Sequence, residues 1–253
     1  MVQLQRTGAV GIIVMNRPEK RNALSPEMVQ SLQSSFEQAA ADPGIRSIVL
    51  RGNGPAFCAG ADLAYLQQMA TNSSMENLAD SFGLMTLMRT ISECPKPVIA
   101  MVHGPAIAGG CGLATVCDFV IAGTAKARFG YSEVAIGFVP AIVMVFLLRR
   151  LSDTQARRLV LSAEIIQADE AVRIGLATRH VADDDLESEV MHLAEHLAGL
   201  SADSIALSKQ MFTALHGMSI DAGLSYAATV NAFARSTQDC QNGIANFLNK
   251  QKT

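Results

Sequence analysis

Two glycine-rich turns are the first features of this sequence that could carry chemistry. Residues 57–63 and 104–114 each follow an apolar, strand-like run and lead into the start of a helix. The first backbone amides of a helix have no partner within the helix, and glycines let a ligand reach them. Two such turns on neighbouring strands could aim two N–H groups at one oxygen. Such a pair would form an oxyanion hole, which stabilises developing negative charge by roughly 2.7–4 kcal/mol per donor. The alternative interpretation is that the glycines only allow tight packing of a strand against a helix.

Glu133 is the second feature. It is the only acidic residue between Asp118 and Asp153, and its neighbours are mostly apolar. Burying an unpaired carboxylate costs several kcal/mol and raises its pKa towards the range that suits proton transfer. The alternative interpretation is an acidic residue that only favours the dipole of a helix start. We predict a role for Glu133 in proton transfer.

Other residue types give weaker signals. The phosphate-loop pattern GxxxxGK[ST], the dinucleotide pattern GxGxxG, the nucleophile pattern GxSxG and any metal-binding constellation are absent from the sequence. Glu76 and Asp80 could supply a second acid, but their spacing is more typical of a solvated helix face. His103 precedes a turn and is predicted to form a structural hydrogen bond. Cys111 is predicted to be a small packing residue.

The elements around the two turns alternate between strands and helices. The sequence predicts a hairpin from strands 2–5 and 10–15, a helix capped by Ser25 with Pro26 in its first turn, a strand at 47–50, a helix at 75–93 and a strand at 98–102. This order indicates βαβ units on a parallel sheet, hence an α/β fold. After Ser152 we expect helices only, at 169–174, 185–197, 202–215, 221–233 and 239–249.

Composition limits the class of protein. The 253 residues are 49% hydrophobic, which is enough for a large core. Twenty Lys and Arg against 23 Asp and Glu, with no Trp and 5% aromatic residues, argue against nucleic acid as a partner. No apolar run is long enough to predict a membrane span, and the apolar run 8–15 lacks the small-residue cleavage site of a signal peptide. Five cysteines without CxxC spacing fit neither a disulfide framework nor a zinc site, so we expect a cytoplasmic location.

The predicted helices near the end of the chain have wide apolar faces. Nothing else in the chain remains to cover them, so we expect the protein to assemble with copies of itself.

Ten short segments in one order resemble the crotonase family, the enoyl-CoA hydratases and isomerases. They are NRP at 16–18, RNAL at 21–24, FCAGADL at 57–63, PKPVIA at 95–100, HGPA at 103–106, GGC at 109–111, CD at 117–118, FGYSE at 129–133, GLA at 175–177 and GIANFL at 243–248. The resemblance spans almost the whole chain. It implies a ββα-spiral core over residues 1–196 and a C-terminal helical region over 197–253 that forms a homotrimer or a dimer of trimers.

The resemblance also implies a ligand and site residues. The ligand is an acyl-CoA thioester, whose CoA is part of the substrate, so that no separate cofactor and no metal is expected. The backbone amides of Ala61 and Gly109 match the oxyanion hole, and Glu133 matches the catalytic acid or base. The residues that match the CoA site are Arg21, Ala23, Ala59, Ala61, Asp62, Leu63 and Gly109.

The sequence departs from the best-known family pattern at Gly112. Hydratases with two carboxylates carry Glu there, and many members carry Gly-Ala-Gly-Gly where this chain has aliphatic residues in the stretch from Glu133 to Pro140 (SEV…IGFVPAIV). With Glu133 alone, hydration of a 2-enoyl-CoA in fatty acid metabolism is favoured. Δ3,Δ2-enoyl-CoA isomerisation, which needs only one carboxylate, is the alternative. A third possibility is an acyl-CoA-binding relative without activity. The sequence does not predict the length, branching or stereochemistry of the acyl group.

Overall fold

The computed structural model describes residues 1–250, except for the side chains of Leu63 and Lys250. This part of the chain contains nine strands, which are β1 (Val2–Thr7), β2 (Val10–Met15), β3 (Ser47–Gly52), β4 (Val98–Val102), β5 (Pro105–Ile107), β6 (Phe119–Gly123), β7 (Arg128–Gly130), β8 (Ile166–Gln167) and β9 (Arg179–Val181). It also contains eleven α-helices, which are α1 (Pro26–Ala41), α2 (Leu63–Met69), α3 (Ser74–Ser92), α4 (Gly109–Thr115), α5 (Ala141–Arg150), α6 (Asp153–Ser162), α7 (Ala168–Arg173), α8 (Leu186–Ala198), α9 (Ala202–Leu215), α10 (Ile220–Ala234) and α11 (Gln238–Lys250). Short 3₁₀ helices lie at Pro18–Lys20, Glu133–Ile136 and Asp183–Asp185.

The strands form two sheets. Six strands are ordered β1-β2-β3-β4-β6-β9, with β1 antiparallel to β2 and the later neighbours parallel. Three strands are ordered β5-β7-β8, with β5 parallel to β7. The predicted hairpin, the parallel sheet and the α/β class are confirmed.

The expectation of helices only after Ser152 is wrong. Strands β8 and β9 lie in this region and join the edges of the two sheets. They have two and three residues, so neither is long enough to show the alternation of apolar and polar residues that identifies a strand. Their pairing with β7 and β6, rather than their own sequence, makes them strands.

Strand β4 shows how the core is divided. Alternate side chains of a strand point to opposite faces of its sheet. Val98, Ala100 and Val102 join a large core with residues of α1 and α3, whereas Ile99 and Met101 join a second core with residues of α8. Helices therefore cover both faces of the central sheet.

Helix α1 forms as the sequence predicts. The Ser25 hydroxyl accepts a hydrogen bond from the Met28 amide, and proline follows the cap. Its residues at four-residue steps, Met28, Leu32 and Phe36, are fully buried.

The C-terminal helices have a different environment. Helix α9 has no buried residue, and on α10 only Gly223 is buried. Large apolar side chains of α9 to α11 are exposed, among them Phe212, Ile220, Leu224, Phe233 and Phe247. Helix α9 is held to the core where the Lys209 ammonium pairs with the Asp118 carboxylate and donates to the Lys96 carbonyl. None of the helices in residues 1–250 has the length and apolar character needed to cross a bilayer.

Candidate active site

The two glycine-rich turns lie side by side. Isolated parallel β-bridges pair Leu24 with Ala61 and Cys58 with Ala106. The Leu24 amide donates to the Gly60 carbonyl at 2.7 Å, and the Ile107 amide donates to the Cys58 carbonyl at 3.0 Å. The segment that contains Ala61 is therefore held between the loop at Leu24 and the segment that begins α4.

Gly60 sets the distance between the two turns. Its φ of +88° is in the left-handed region, which glycine adopts without strain. A Cβ at this position would lie 3.0 Å from the Cβ of Ala108 and 3.7 Å from the amide nitrogen of Gly109. The turn before Ala61 thus touches the first residue of α4.

Ala61 and Gly109 each present an unpaired backbone amide. Within residues 1–250, neither N–H donates to a protein acceptor, although their neighbours Asp62 and Ala108 donate to the carbonyls of Leu24 and Gly130. Gly109 is the first residue of α4, where the helix supplies no partner. The two residues predicted for an oxyanion hole therefore have free donors on adjacent turns.

Gly110 explains why a glycine pair is needed at this helix start. A Cβ there would lie 2.1 Å from the Cys58 carbonyl oxygen, closer than any side chain can come. Helix α4 therefore begins directly against the segment that leads to Ala61.

Glu133 approaches the same place from the adjacent strand. Strand β7 pairs in parallel with β5, and the Ala108 amide donates to the Gly130 carbonyl at 2.8 Å. Both chains leave the small sheet at the same end, one into Gly109 and the other into Glu133. The Glu133 side chain is buried, and its Oε2 atom has no hydrogen-bond partner among the described residues. Burial raises the pKa of this carboxyl above its usual value.

This raised pKa predicts a cost in stability. The unfolded chain ionises Glu133 near its ordinary pKa of 4.5, whereas the folded chain resists ionisation. The penalty is absent below that pH, develops up to the folded pKa and is complete above it, at about 1.4 kcal/mol per unit of pKa elevation. We expect Glu133→Gln to be more stable than the wild type in urea unfolding at pH 7.5, and the difference to vanish near pH 4. A variant less stable than the wild type at pH 7.5 would contradict this assignment.

Tyr131 and Thr115 form a buried contact that the sequence analysis missed. The Tyr131 and Thr115 hydroxyls lie 2.9 Å apart, and Thr115 donates to the Cys111 carbonyl at 2.7 Å. Because the single Thr115 hydrogen is used there, Tyr131 is the donor to Thr115. These bonds join the segment that carries Glu133 to the helix that begins at Gly109. A tyrosine in an apolar segment needs such a partner, and this is the signal that could have identified it.

The residues predicted for a CoA site lie around the first turn. Arg21 is exposed with a φ of 50°, Ala23 is buried, and the Ala59 amide donates to the Arg21 carbonyl at 3.0 Å. The Asp62 carboxylate accepts from Arg17 at 3.2 Å and from the Ala64 amide at 3.0 Å. The Asp62 carboxylate therefore already accepts hydrogen bonds from other residues of the chain. The side chain of Leu63 lies outside the described part of the structure.

Asn22 lies in the same loop as Arg21 and Ala23, and the sequence analysis did not assign it a role. Its side-chain amide donates to the carbonyls of Asn53 and Ala56, both at 2.9 Å, and its oxygen accepts from the Arg17 amide. The loop that carries Arg21 and Ala23 is therefore fixed to the strand end before the first glycine-rich turn.

The weaker candidates have structural partners. Glu76 forms a capping box with Ser73 at the start of α3, and Asp80 accepts from the Tyr65 hydroxyl at 2.7 Å. His103 lies 2.9 Å from the Gly54 carbonyl, as a structural hydrogen bond requires. Burial raises the pKa of the Cys111 thiol to about 12, consistent with a packing role. No cluster of His, Cys, Asp or Glu suited to a metal ion occurs in residues 1–250.

A cavity of about 700 Å³ lies away from Glu133 and from the free amides of Ala61 and Gly109. It is lined by His103, Pro105, Lys126 and Arg128 among others, at the end of β5 opposite Gly109.

Comparisons with known proteins identify the family of this chain. The sequence model of the family described as enoyl-CoA hydratase/isomerase matches residues 5–253. A Thermus thermophilus protein named "Putative enoyl-CoA hydratase" is 42% identical over 99% of this chain and 98% of its own length. A crotonyl-CoA hydratase of Syntrophomonas wolfei is 34% identical over 98% of this chain and 95% of its own. The crystal structure of an enoyl-CoA hydratase from Mycobacterium smegmatis superposes with a TM-score of 0.93 at 30% identity, covering 98% and 96% of the two chains.

Proposed function

Because the chain belongs to the enoyl-CoA hydratase/isomerase family, we propose that it is an enoyl-CoA hydratase, which adds water to the C2–C3 double bond of a 2-enoyl-CoA thioester. The observation that carries this proposal is the position of one buried carboxyl, Glu133, beside two turns with free amides. The S. wolfei relative is named for hydration of crotonyl-CoA, which makes that short substrate the first to test.

The free amides of Ala61 and Gly109 would bind the thioester carbonyl oxygen. When water attacks C3, the electron pair of the C2–C3 bond moves towards this oxygen and forms an enolate. Hydrogen bonds that are strongest to the enolate lower the barrier, because they stabilise the transition state more than the substrate. No side chain is needed for this role, which fits the small residues at both turns.

Glu133 would move the proton in both halves of the reaction. As a carboxylate it accepts a proton from water while the water oxygen bonds to C3. As a carboxylic acid it then returns that proton to C2 when the enolate collapses, so that one water molecule is added and Glu133 is regenerated. A pKa raised by burial keeps both forms accessible, and this supports the role.

The CoA moiety would lie along the first loop and the first glycine-rich turn. The backbone of residues 59–63 and the neighbouring Ala23 offer a surface without large side chains, and the exposed Arg21 offers a cation to the CoA phosphates. The reaction requires no cofactor beyond the CoA of the substrate.

Double-bond isomerisation is the second candidate, and Gly112 favours it. Gly112 leaves Glu133 as the one carboxylate proposed for the reaction, and a single carboxylate can remove a proton from C2 of a 3-enoyl-CoA and return it to C4, which moves the double bond from C3–C4 to C2–C3. Hydration remains the first proposal because the named relatives are hydratases.

Product analysis separates these reactions. The purified protein is incubated with crotonyl-CoA, and separately with a 3-enoyl-CoA in heavy water, and the products are identified by mass spectrometry and by the ultraviolet absorbance of the conjugated enoyl thioester. A hydratase yields 3-hydroxybutyryl-CoA from crotonyl-CoA. An isomerase instead accumulates the conjugated 2-enoyl-CoA from the 3-enoyl substrate. Tight binding of CoA esters without turnover of either substrate would reject both activities and favour a binding protein.

We also propose that the protein assembles in the cytoplasm as a homotrimer or a dimer of trimers. The exposed Phe212, Ile220 and Phe233 of the C-terminal helices support this, because monomers rarely leave so many large apolar side chains in water. Light scattering at micromolar concentration should give three or six times the mass of the chain. A monomeric mass would contradict the proposal.

A further inference from the structure

The side chain of Val143 occupies the space beside Gly112. Gly112 lies on α4, three residues after Gly109, and Val143 lies on α5, which follows the 3₁₀ helix of Glu133. A Cβ added to Gly112 would lie 2.1 Å from Cγ1 and 2.5 Å from Cβ of Val143. Both distances are too short for two carbon atoms that are not bonded to each other. Val143 is 3% exposed and belongs to the large core.

The packing of α4 against α5 therefore depends on one small and one branched residue. In the sequence, position 112 is glycine, and position 143 is a valine within the apolar run AIVMVFLL at 141–148. The structure adds that the two positions touch. A longer side chain at position 112 and valine at position 143 exclude each other.

We propose that Val143 is a specificity-determining residue that keeps this active site to a single carboxylate. Its methyl groups fill the volume through which an acidic side chain at position 112 would extend, and they line that volume with apolar surface that would not solvate a charge. The site is thereby restricted to reactions in which Glu133 both accepts and returns the proton. This inference rests on the proposed function of Glu133.

A cycle of variants tests it. Overpacking destabilises a close-packed core, so we expect Gly112→Glu to lower the Tm by on the order of 5 °C and the hydration rate by about 10²-fold. Adding Val143→Gly should restore most of both losses. The pH profile of kcat/KM for the Gly112→Glu/Val143→Gly variant should then show a second ionisation, because a second carboxylate has entered the site.

Val145→Gly is the matched control. Val145 lies on the same helix but is 49% exposed, so its removal introduces a glycine into α5 without opening space beside Gly112. We expect no rescue of Gly112→Glu by Val145→Gly. Equal rescue by both glycine substitutions would overturn the inference. So would a Gly112→Glu variant with the Tm of the wild type, or a stable Gly112→Glu/Val143→Gly variant whose pH profile keeps one ionisation.

A smaller substitution covers the case in which the Gly112→Glu variant does not fold. Gly112→Ala adds only the Cβ that meets Val143, and its Tm should lie below that of the wild type and rise again with Val143→Gly. This stability cycle needs no substrate. If the wild-type protein were inactive on every enoyl-CoA, the proposed function would fail. The stability cycle would still show whether Val143 fills the space beside Gly112.

Discussion

Replacement of Glu133 by Gln is expected to lower kcat for hydration of crotonyl-CoA by about 10²–10⁴-fold, the usual contribution of general acid–base catalysis. Gln has nearly the shape of Glu but neither accepts a proton from water nor returns one to C2. The Glu133 side chain is buried and its Oε2 atom has no partner among the described residues, so the substitution breaks no hydrogen bond at that atom. The KM should change much less than kcat, since the amides that would hold the thioester are untouched.

Glu76→Gln is the control for this result. Glu76 is an exposed carboxylate in the capping box of α3, and Gln serves the same cap. We expect wild-type kinetics from it. If Glu133→Gln hydrated crotonyl-CoA at the wild-type rate, the acid–base role of Glu133 would be wrong.

Substitution of Ala61 by Pro is expected to have the second large effect. Proline removes the N–H of this residue and nothing else that its neighbours use, because the adjacent bonds are made by the Gly60 carbonyl and the Asp62 amide. Loss of one donor to the enolate oxygen should lower kcat by about 10²–10³-fold. Gly60 before it has no Cβ, which removes one of the clashes that a proline ring makes with its predecessor.

Ala61→Ser tests whether the amide or the side chain matters. Residue 61 is exposed, and Ser keeps the N–H while adding a hydroxyl of little bulk. The Ser variant should retain most of the wild-type kcat, and both variants should unfold at nearly the wild-type Tm. Equal losses of activity in the Pro and Ser variants would show that the Ala61 amide is not the feature that matters.

The sequence predicted an element correctly where a local signal, such as a helix cap, coincides with a regular spacing of apolar residues that are buried. The cap at Ser25, the buried face of α1 and strand β4 follow from such patterns, and they are observed as predicted. The two glycine-rich turns were also found from the sequence, since a strand followed by glycines and a helix start is a strong local signal. Their side-by-side arrangement follows from the parallel pairing of neighbouring segments.

Features that depend on distant contacts were not predictable. Strands β8 and β9 exist only through their pairing partners. The hydroxyl contact between Tyr131 and Thr115 joins residues that are 16 positions apart. The exclusion between Gly112 and Val143 required knowing that α4 packs on α5, although Gly112 and the aliphatic stretch that contains Val143 had each been noted in the sequence. In each case, the missing information was which parts of the chain meet in space.

A crystal structure with acetoacetyl-CoA bound tests most directly whether Ala61, Gly109 and Glu133 act on one substrate. We predict that the thioester oxygen lies about 3 Å from the amide nitrogens of both Ala61 and Gly109, with the Glu133 carboxyl within about 3 Å of C2 or C3 of the acyl group or of a water molecule beside them. A thioester oxygen bound away from these two amides, or a Glu133 side chain directed away from the acyl group, would contradict the proposed mechanism.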